Sequence, residues 1–400
     1  MIGQNSLIVK VIIVFSIVLL TATISGAQNR STCLRIQASG KSVHPHWLKH
    51  QAEAQNNGRS KGAGIQGKIK WIVQARRGLT STGVIGADGN LYFGAVNGIV
   101  SVSAASGESK MSYNPGARQD APQWAIQNHW REDFTTPTLS AGGTIYVGSS
   151  YGRVYALNAV TGQTKWCFKA GKYASLITPA MVNVDKVYVG SNDNEVYALH
   201  AKTGKKLWGF RTGDFVETTP ALGHNGLLYV GSRDDHVYAL ESRTGTKRWS
   251  FTTNGAIESA LAIGSDDTIY VGSKGGIVYS LVGSTGKMRW SYDTHFANSA
   301  PAISKTGVVY VGADKVYAFD GKTGAIQWKC SASHSFGDPV ISADGTLYVV
   351  GQDDKLYAFD GNTGRKKWTL RARGIVGSVT IGSSSTIYVG TYSGRVYAIR

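Results

Sequence analysis

Acidic residues, cysteine and long apolar runs are all scarce in this 400-residue sequence. There are 25 Asp and Glu against 42 Lys and Arg, a formal net charge of +17, which favours polyanions over cations as partners. Three cysteines are too few for a disulfide scaffold, and an odd number leaves a thiol unpaired in a monomer. Beyond one stretch near the N-terminus there is no long apolar run, so nothing else in the chain reads as a membrane span. Helical periodicity is missing after residue 68, which excludes α and α/β folds. HExxH, Walker and CxxC patterns are absent, and with them the zinc-protease, nucleotide and dithiol sites they build. What the chain does have is 42% apolar residues, enough for a full core, and 50 glycines with no three-residue period, which rules out collagen.

Residues 1–27 read as an export signal. Lys10 precedes the uncharged run from Val11 to Leu20, and Ser25, Gly26 and Ala27 put small residues where a signal peptidase cuts. Even extended to Ile24 the run falls short of the ~20 residues of a bilayer span, so cleavage is expected. Residues 28–68 form a basic tail, with Arg30, Arg35, Lys41, Lys49, Arg59 and Lys61 against Glu53. Cys33 follows Arg30-Ser31-Thr32 and lacks the setting of a lipidated cysteine. His44, His46 and His50 make only a loose metal clip. The mature chain is expected outside the cytoplasm, secreted or in the periplasm or cell envelope, as a monomer.

Tryptophan marks a repeat. Trp166, Trp208, Trp249, Trp290, Trp328 and Trp368 are separated by 42, 41, 41, 38 and 40 residues, each closing the same phrase, as in VYVGSNDNEVYALHAKTGKKLW (187–208). IYVGS alternates and turns, VYAL pairs back, TG turns again, and KxW begins a third strand. Segments such as ETTPALG (217–223) supply an innermost fourth. Four short antiparallel strands per ~40 residues describe a propeller blade. Trp71 and Met111 extend the docking series to eight positions, and the chain stops at VYAIR (396–400) before a ninth TGxxxW. The expected fold is therefore all-β: an eight-bladed propeller over 69–400, its last blade completed by the N-terminal strand around Trp71. Each ring is expected to pack between blades, over the small residue of VYAL (Ala198, Ala239, Ser280, Ala318) and the glycine of TG. Met111 and Val102 depart from the pattern, so blade 1 is expected to be the loosest.

The phrase YALxxxTGxxxW resembles the tryptophan-docking repeat of quinoprotein dehydrogenases and their non-enzymatic relatives, so the chain resembles the PQQ-like β-propeller repeat family over nearly all of 71–400. In the dehydrogenase branch that resemblance implies a quinone on the axis, a calcium held by carboxylates and an amide, adjacent cysteines and an Asp base. The other branch includes scaffolds such as the propeller lipoprotein of outer-membrane protein assembly. This chain has no adjacent cysteines. Cys167 and Cys330 fall on opposite blades, 2 and 6, beyond the ~5.5 Å Cα separation of a disulfide. Its loops are mostly tight turns. The scaffold branch is expected, with PQQ and calcium disfavoured as cofactors.

Two candidate sites remain. Aligning the loops into the innermost strands puts Glu217, Glu258 and Asn298 at one level in three successive blades, oxygen ligands suited to Ca²⁺, with Asp338 two residues further into its own strand. The plainer alternative, which we favour, is polar residues lining a wet channel. Deeper in, the alignment reads Thr136, Thr178, Thr219, Ala260, Ala300, Asp338 and Ser378, a packing ring of small side chains. The insertion at 112–133 carries Arg118, Trp124, His129, Trp130 and Arg131, which suit a sugar or a partner, or else a cover over the blade 1/blade 2 junction. Lysines and arginines flank the docking tryptophans, so an outer basic rim is expected. The leading functional reading is an exported, non-catalytic propeller that binds a protein or an anionic polysaccharide or envelope surface, not nucleic acid. The alternatives are a PQQ/Ca-dependent dehydrogenase and a carbohydrate-binding propeller.

Overall fold

Each repeat folds into a hairpin whose alternating residues face one another in register. In the third repeat Lys186–Gly190 runs antiparallel to Glu195–His200, with Tyr188 opposite Ala198. Positive-φ residues make the corner between the two strands, such as Asn194 (φ 69°). In the computed structural model the described residues are 66–113, 132–171, 174, 177–297, 299–331, 336–382 and 386–400. They form eight four-stranded antiparallel sheets, each ordered from an innermost to an outermost strand. Blades 1 to 7 span 84–113, 138–169, 181–211, 221–252, 262–293, 302–330 and 340–371. Blade 8 spans 375–399 and takes its outermost strand, Ile69–Gln74, from the other end of the chain. Among the described residues no helix is long and apolar enough to cross a membrane.

The core lies between blades. Eight apolar clusters are each drawn from two neighbouring sheets. One joins Val154, Ala156 and Trp166 of blade 2 to Val187, Val189 and Leu199 of blade 3. Another joins Tyr388, Val396 and Ala398 of blade 8 to Leu91, Phe93 and Val100 of blade 1. That last cluster makes the row a ring.

The tryptophans clamp each blade to the next. The Trp166 indole lies on Gly204 in the following blade's TG turn, and its Nε1–H donates to Ala201 O at 2.8 Å. Tyr146 OH donates to the same carbonyl at 3.1 Å, which occupies both lone pairs. Ser242 O accepts Trp208 and Tyr188 in the same way, Gly321 O accepts Trp290 and Tyr270, and Gly361 O accepts Trp328 and Tyr310. The Trp249 indole lies on Gly286 and bonds Gly283 O at 2.8 Å. The glycine is required twice over. Its φ is +69° at Gly204 and +75° at Gly245, and a Cβ at either would sit 2.6 Å from the ring. Trp71 covers Gly107 of blade 1, and Trp368 covers Gly67, which leads into the strand of Trp71. Trp71 Nε1 has no hydrogen-bond partner among the described residues, whereas Tyr388 OH bonds Ala104 O at 2.9 Å. The side chain of Met111, on the outer strand of blade 1, lies outside what is described.

The basic rim has a geometric origin. In every outer strand the pairing slips by one residue just before the docking position. Ala198 faces Trp208 but Leu199 faces Lys206, so Leu207 is bulged out. The bulged residue is Lys70, Lys110, Lys165, Leu207, Arg248, Arg289, Gln327 or Lys367, cationic in six of eight blades. A cation on a bulged edge strand discourages pairing with another sheet edge.

The clamp predicts coupled energetics. Gly245→Ala should cost about 2–4 kcal/mol, from left-handed backbone strain plus overpacking against the Trp208 ring. In a Trp208→Ala background the overpacking disappears, so the same change should cost only about 1–2 kcal/mol. Urea unfolding of the four proteins in this cycle measures the difference. Equal costs in both backgrounds would detach the glycine from the ring.

Candidate functional site

The loops that cross from one blade to the next form the inner rim. Ile177 N donates to Ser149 O of the preceding blade, Val216 N to Ser191 O, and Ile257 N to Ser232 O, at 3.0–3.1 Å. From these anchors blade 3 reaches its first strand residue, Met181, in four steps, while blades 4 and 5 take five to reach Ala221 and Ala262. The additional residues are Glu217 and Glu258. The alignment of Thr178 with Thr136 and Thr219 is corrected by this count. Thr178 accepts Gly190 N at 2.8 Å, as Thr135 accepts Gly148 N and Thr218 accepts Gly231 N, so Pro179 takes the level of Thr136 and Thr219. The other members of that ring, Thr136, Thr219, Ala260, Ala300, Asp338 and Ser378, are buried.

The structure brings Glu217 and Glu258 together around two cations. Arg233, at the corner of blade 4, places NH1 3.5 Å from Glu217 Oε1 and Nε 3.4 Å from Glu258 Oε1. Lys274, at the corresponding corner of blade 5, reaches Glu258 Oε1 at 2.9 Å. The Arg233 guanidinium also lies 5.6 Å from the Phe215 ring centre, within cation–π range. The acids are buried, with side-chain exposure of 13% for Glu217 and 1% for Glu258, and the cations are their lids, at 34% and 51%. Burial pushes the Glu217 carboxyl above its ordinary range. Arg233 opposes that shift and Glu258 adds to it. Glu217 Oε2 is buried with no hydrogen-bond partner among the described residues.

Asp338 is engaged by the neighbouring blade. It is 4% exposed, and its Oδ1 accepts Ala300 N at 2.8 Å, tying blade 7 to blade 6. Asn298 lies outside the described residues, as do Arg118, Trp124, His129, Trp130 and Arg131 of the insertion. The insertion's far foot is described. Glu132 is buried, exchanges backbone and side-chain bonds with Asn97, and accepts Tyr155 OH at 3.3 Å. Burial raises its carboxyl, against the pull of Ser149 and Arg153. Arg233, Lys274 and Glu132 were not singled out in the sequence.

The described residues do not fit a calcium ion. Each buried carboxylate is already matched by a guanidinium or ammonium group, so the quartet balances its own charge, and a hard cation would have to displace both lids. No three His, Cys, Asp or Glu side chains converge on a metal position among the described residues. Cys167 lies on blade 2 and Cys330 on blade 6, and burial pushes the Cys330 thiol up to about 11.

Eight sheets, a period near forty residues and a glycine under each described docking tryptophan define a PQQ-like β-propeller. The chain belongs to the family described as Outer membrane protein assembly factor BamB, whose model matches residues 111–208, 174–307 and 294–400. Among solved structures, BamB from Moraxella catarrhalis superposes with a TM-score of 0.64 at 17% identity, covering 83% of this chain and 98% of that one. The quinohemoprotein alcohol dehydrogenase from Comamonas testosteroni gives 0.73 at 16%, covering 88% and 80%. Sqt1 from Saccharomyces cerevisiae gives 0.70 at 11%, covering 84% and 99%. These likenesses establish the fold, which hosts unrelated functions. No protein of curated function matches the sequence.

The raised Glu217 carboxyl predicts a pH dependence. The unfolded chain ionises this group near the ordinary value of 4.5 and the folded protein only at higher pH, so between the two the folded state holds more protons. Stability therefore falls as pH rises through this window. Urea midpoints should show Glu217→Gln gaining on the parent protein as pH rises from below 4.5 toward neutrality. A constant difference would mean that the carboxyl titrates normally.

Proposed function

We propose that this protein is a non-catalytic propeller that works outside the cytoplasm, at the cell envelope or beyond it, by holding a protein partner against the inner rim of blades 4 to 6. The observation that carries this reading is the self-neutralised quartet. Glu217 and Glu258 are the carboxylates that the sequence offers for a calcium site, and they pair with Arg233 and Lys274. Neither PQQ nor calcium takes part in this reading. Membership of a family named for an assembly factor supports a protein as the partner.

The rim has the character of a protein-contact surface. Phe296 is 44% exposed in the loop into blade 6, His295 beside it is exposed, and the lids Arg233 and Lys274 face solvent over buried acids. An apolar ring and arginine edged by polar groups is the usual make-up of an interface hot spot.

Two measurements test the proposal. Crosslinked pull-downs from the native envelope should recover a partner with the parent protein and lose it, by about tenfold or more, with Phe296→Ala or Arg233→Ala. Lys202→Ala, on the outer rim of blade 3, should retain it. Adding PQQ and Ca²⁺ should produce no new absorbance band and no dye reduction with alcohols. Turnover in that assay, or a partner held equally by all variants, would overturn the reading.

A further inference from the structure

We infer that the sector where the ring closes, blade 8 with the outer strand of blade 7, is a docking surface for an anionic lipid bilayer. The two segments that build it, 66–77 and 361–400, contain eleven Lys and Arg and no Asp or Glu. Residues 195–293, spanning parts of blades 3 to 5, contain eleven Lys and Arg and ten Asp and Glu. Edge protection by bulged cations accounts for only Lys70 and Lys367 in the closing sector. The other nine face a single acid at the border of the second segment, Asp360, whose backbone N–H donates to Arg365 O at 2.8 Å.

The fold draws Lys68, Lys366, Lys367 and Arg400 together from distant parts of the chain, while Arg76, Arg77, Arg371 and Arg395 stand at or beyond the other ends of the same strands. Lys68 and Arg400 exchange backbone hydrogen bonds at 2.8 and 2.7 Å, and Trp368, directly after Lys366 and Lys367, lies on Gly67. Lys68, Arg365, Lys366 and Arg400 are exposed. On the same outer strand Ile69 and Ile72 are 44% and 52% exposed. This pairing of chemistries selects the occupant. Clustered lysines and arginines are attracted to an acidic leaflet within a Debye length. Aliphatic side chains beside them gain by entering the boundary between headgroups and acyl chains. A soluble polyanion offers the isoleucines nothing. The two outer strands carry no aromatic platform for a saccharide, because Trp71 and Trp368 are turned onto Gly107 and Gly67, and the exposed aromatic of blade 8, Tyr392, sits at the corner between its last two strands.

The test is cosedimentation of the full chain with phosphatidylcholine vesicles, with and without phosphatidylglycerol. Pure phosphatidylcholine reports whatever the apolar run from Val11 to Leu20 contributes, and the increment from phosphatidylglycerol reports the cations of the basic tail together with those of the surface, which the charge variants separate. Neutralising Lys68, Arg365, Lys366 and Arg400 to Gln should reduce that increment by about fivefold per charge. Neutralising Lys202, Lys205, Lys247 and Lys287 to Gln in the balanced sector should reduce it far less. Ile69→Ser with Ile72→Ser should weaken binding to vesicles while leaving binding to heparin unchanged. Thermal melts of each variant establish that it is folded. No increment with the parent protein, equal losses from the two charge sets, or an isoleucine variant that binds vesicles fully would each overturn the inference. The surface lies on different residues from the inner rim, so partner capture and vesicle binding fail separately.

Discussion

The indole that lies on a glycine of the next blade is the contact on which the ring depends. Sheet hydrogen bonds run within a blade and do nothing to hold neighbouring blades in register. Between blades there are apolar side chains, which are tolerant of sliding, hydrogen bonds of the inner loops such as Ile177 N to Ser149 O, and the clamp of the outer strands. The clamp joins four requirements at one point. The turn needs a left-handed residue, the ring needs the absence of a Cβ, the turn carbonyl needs donors, and Trp Nε1 with Tyr OH supplies two of them at Ala201, Ser242, Gly321 and Gly361. Tryptophan, tyrosine and TG therefore recur together, because losing any one leaves another unsatisfied.

Closure uses the same contact across the chain ends. Gly67 and Trp71 stand four residues apart, as Gly204 and Trp208 do, so the first strand is a fragment of the repeat displaced to the N-terminal side. It receives one clamp, from Trp368, and delivers another, to Gly107. Each of these clamps lacks one bond among the described residues, that of Tyr348 OH at the first and that of Trp71 Nε1 at the second. Ala104 O is taken by Tyr388 OH, while Trp71 Nε1 has no partner among the described residues. A ring whose last joint combines such sequence-distant contacts completes its core late in folding, since the closure entropy precedes the reward.

Most of the architecture was legible because the tryptophan period is long-range information written locally. Each TGxxxW states where a turn, a strand and a blade boundary fall. The inner rim was less legible, for a definite reason. Thr-Pro occurs as Thr136-Pro137, Thr178-Pro179 and Thr219-Pro220, which invites aligning the three. The backbone aligns Thr178 with Thr135 and Thr218 instead, because the anchoring bonds to the previous blade fix the loop from its other end. A one-residue difference in loop length leaves no mark on a repeat read from its strands. Glu217 and Glu258 were visible as aligned acids, but their partners were not. Arg233 and Lys274 each lie sixteen residues further on, at hairpin corners that read as solvated turns. Only the stacking of blades shows that Arg233 serves acids from two of them.

Charge in this molecule accordingly has three separate origins that composition adds into one number. The bulge cations belong to the fold, since a bulge ahead of each docking position turns one side chain outward and a cation there guards an open edge. The rim cations belong to the buried acids, and their charges cancel within the quartet. Neither group makes a directional field, because the first is spread around the ring and the second is neutral as a unit. A field of one sign requires cations in excess of their counter-charges, and that excess gathers where the strand Ile69–Gln74 pairs with the last strand. Stability alone would disfavour that arrangement, because like charges repel across the very strand pair that closes the ring. The repulsion is tolerated at the least redundant joint in the structure, and an opposing anionic surface would relieve it there more than anywhere else.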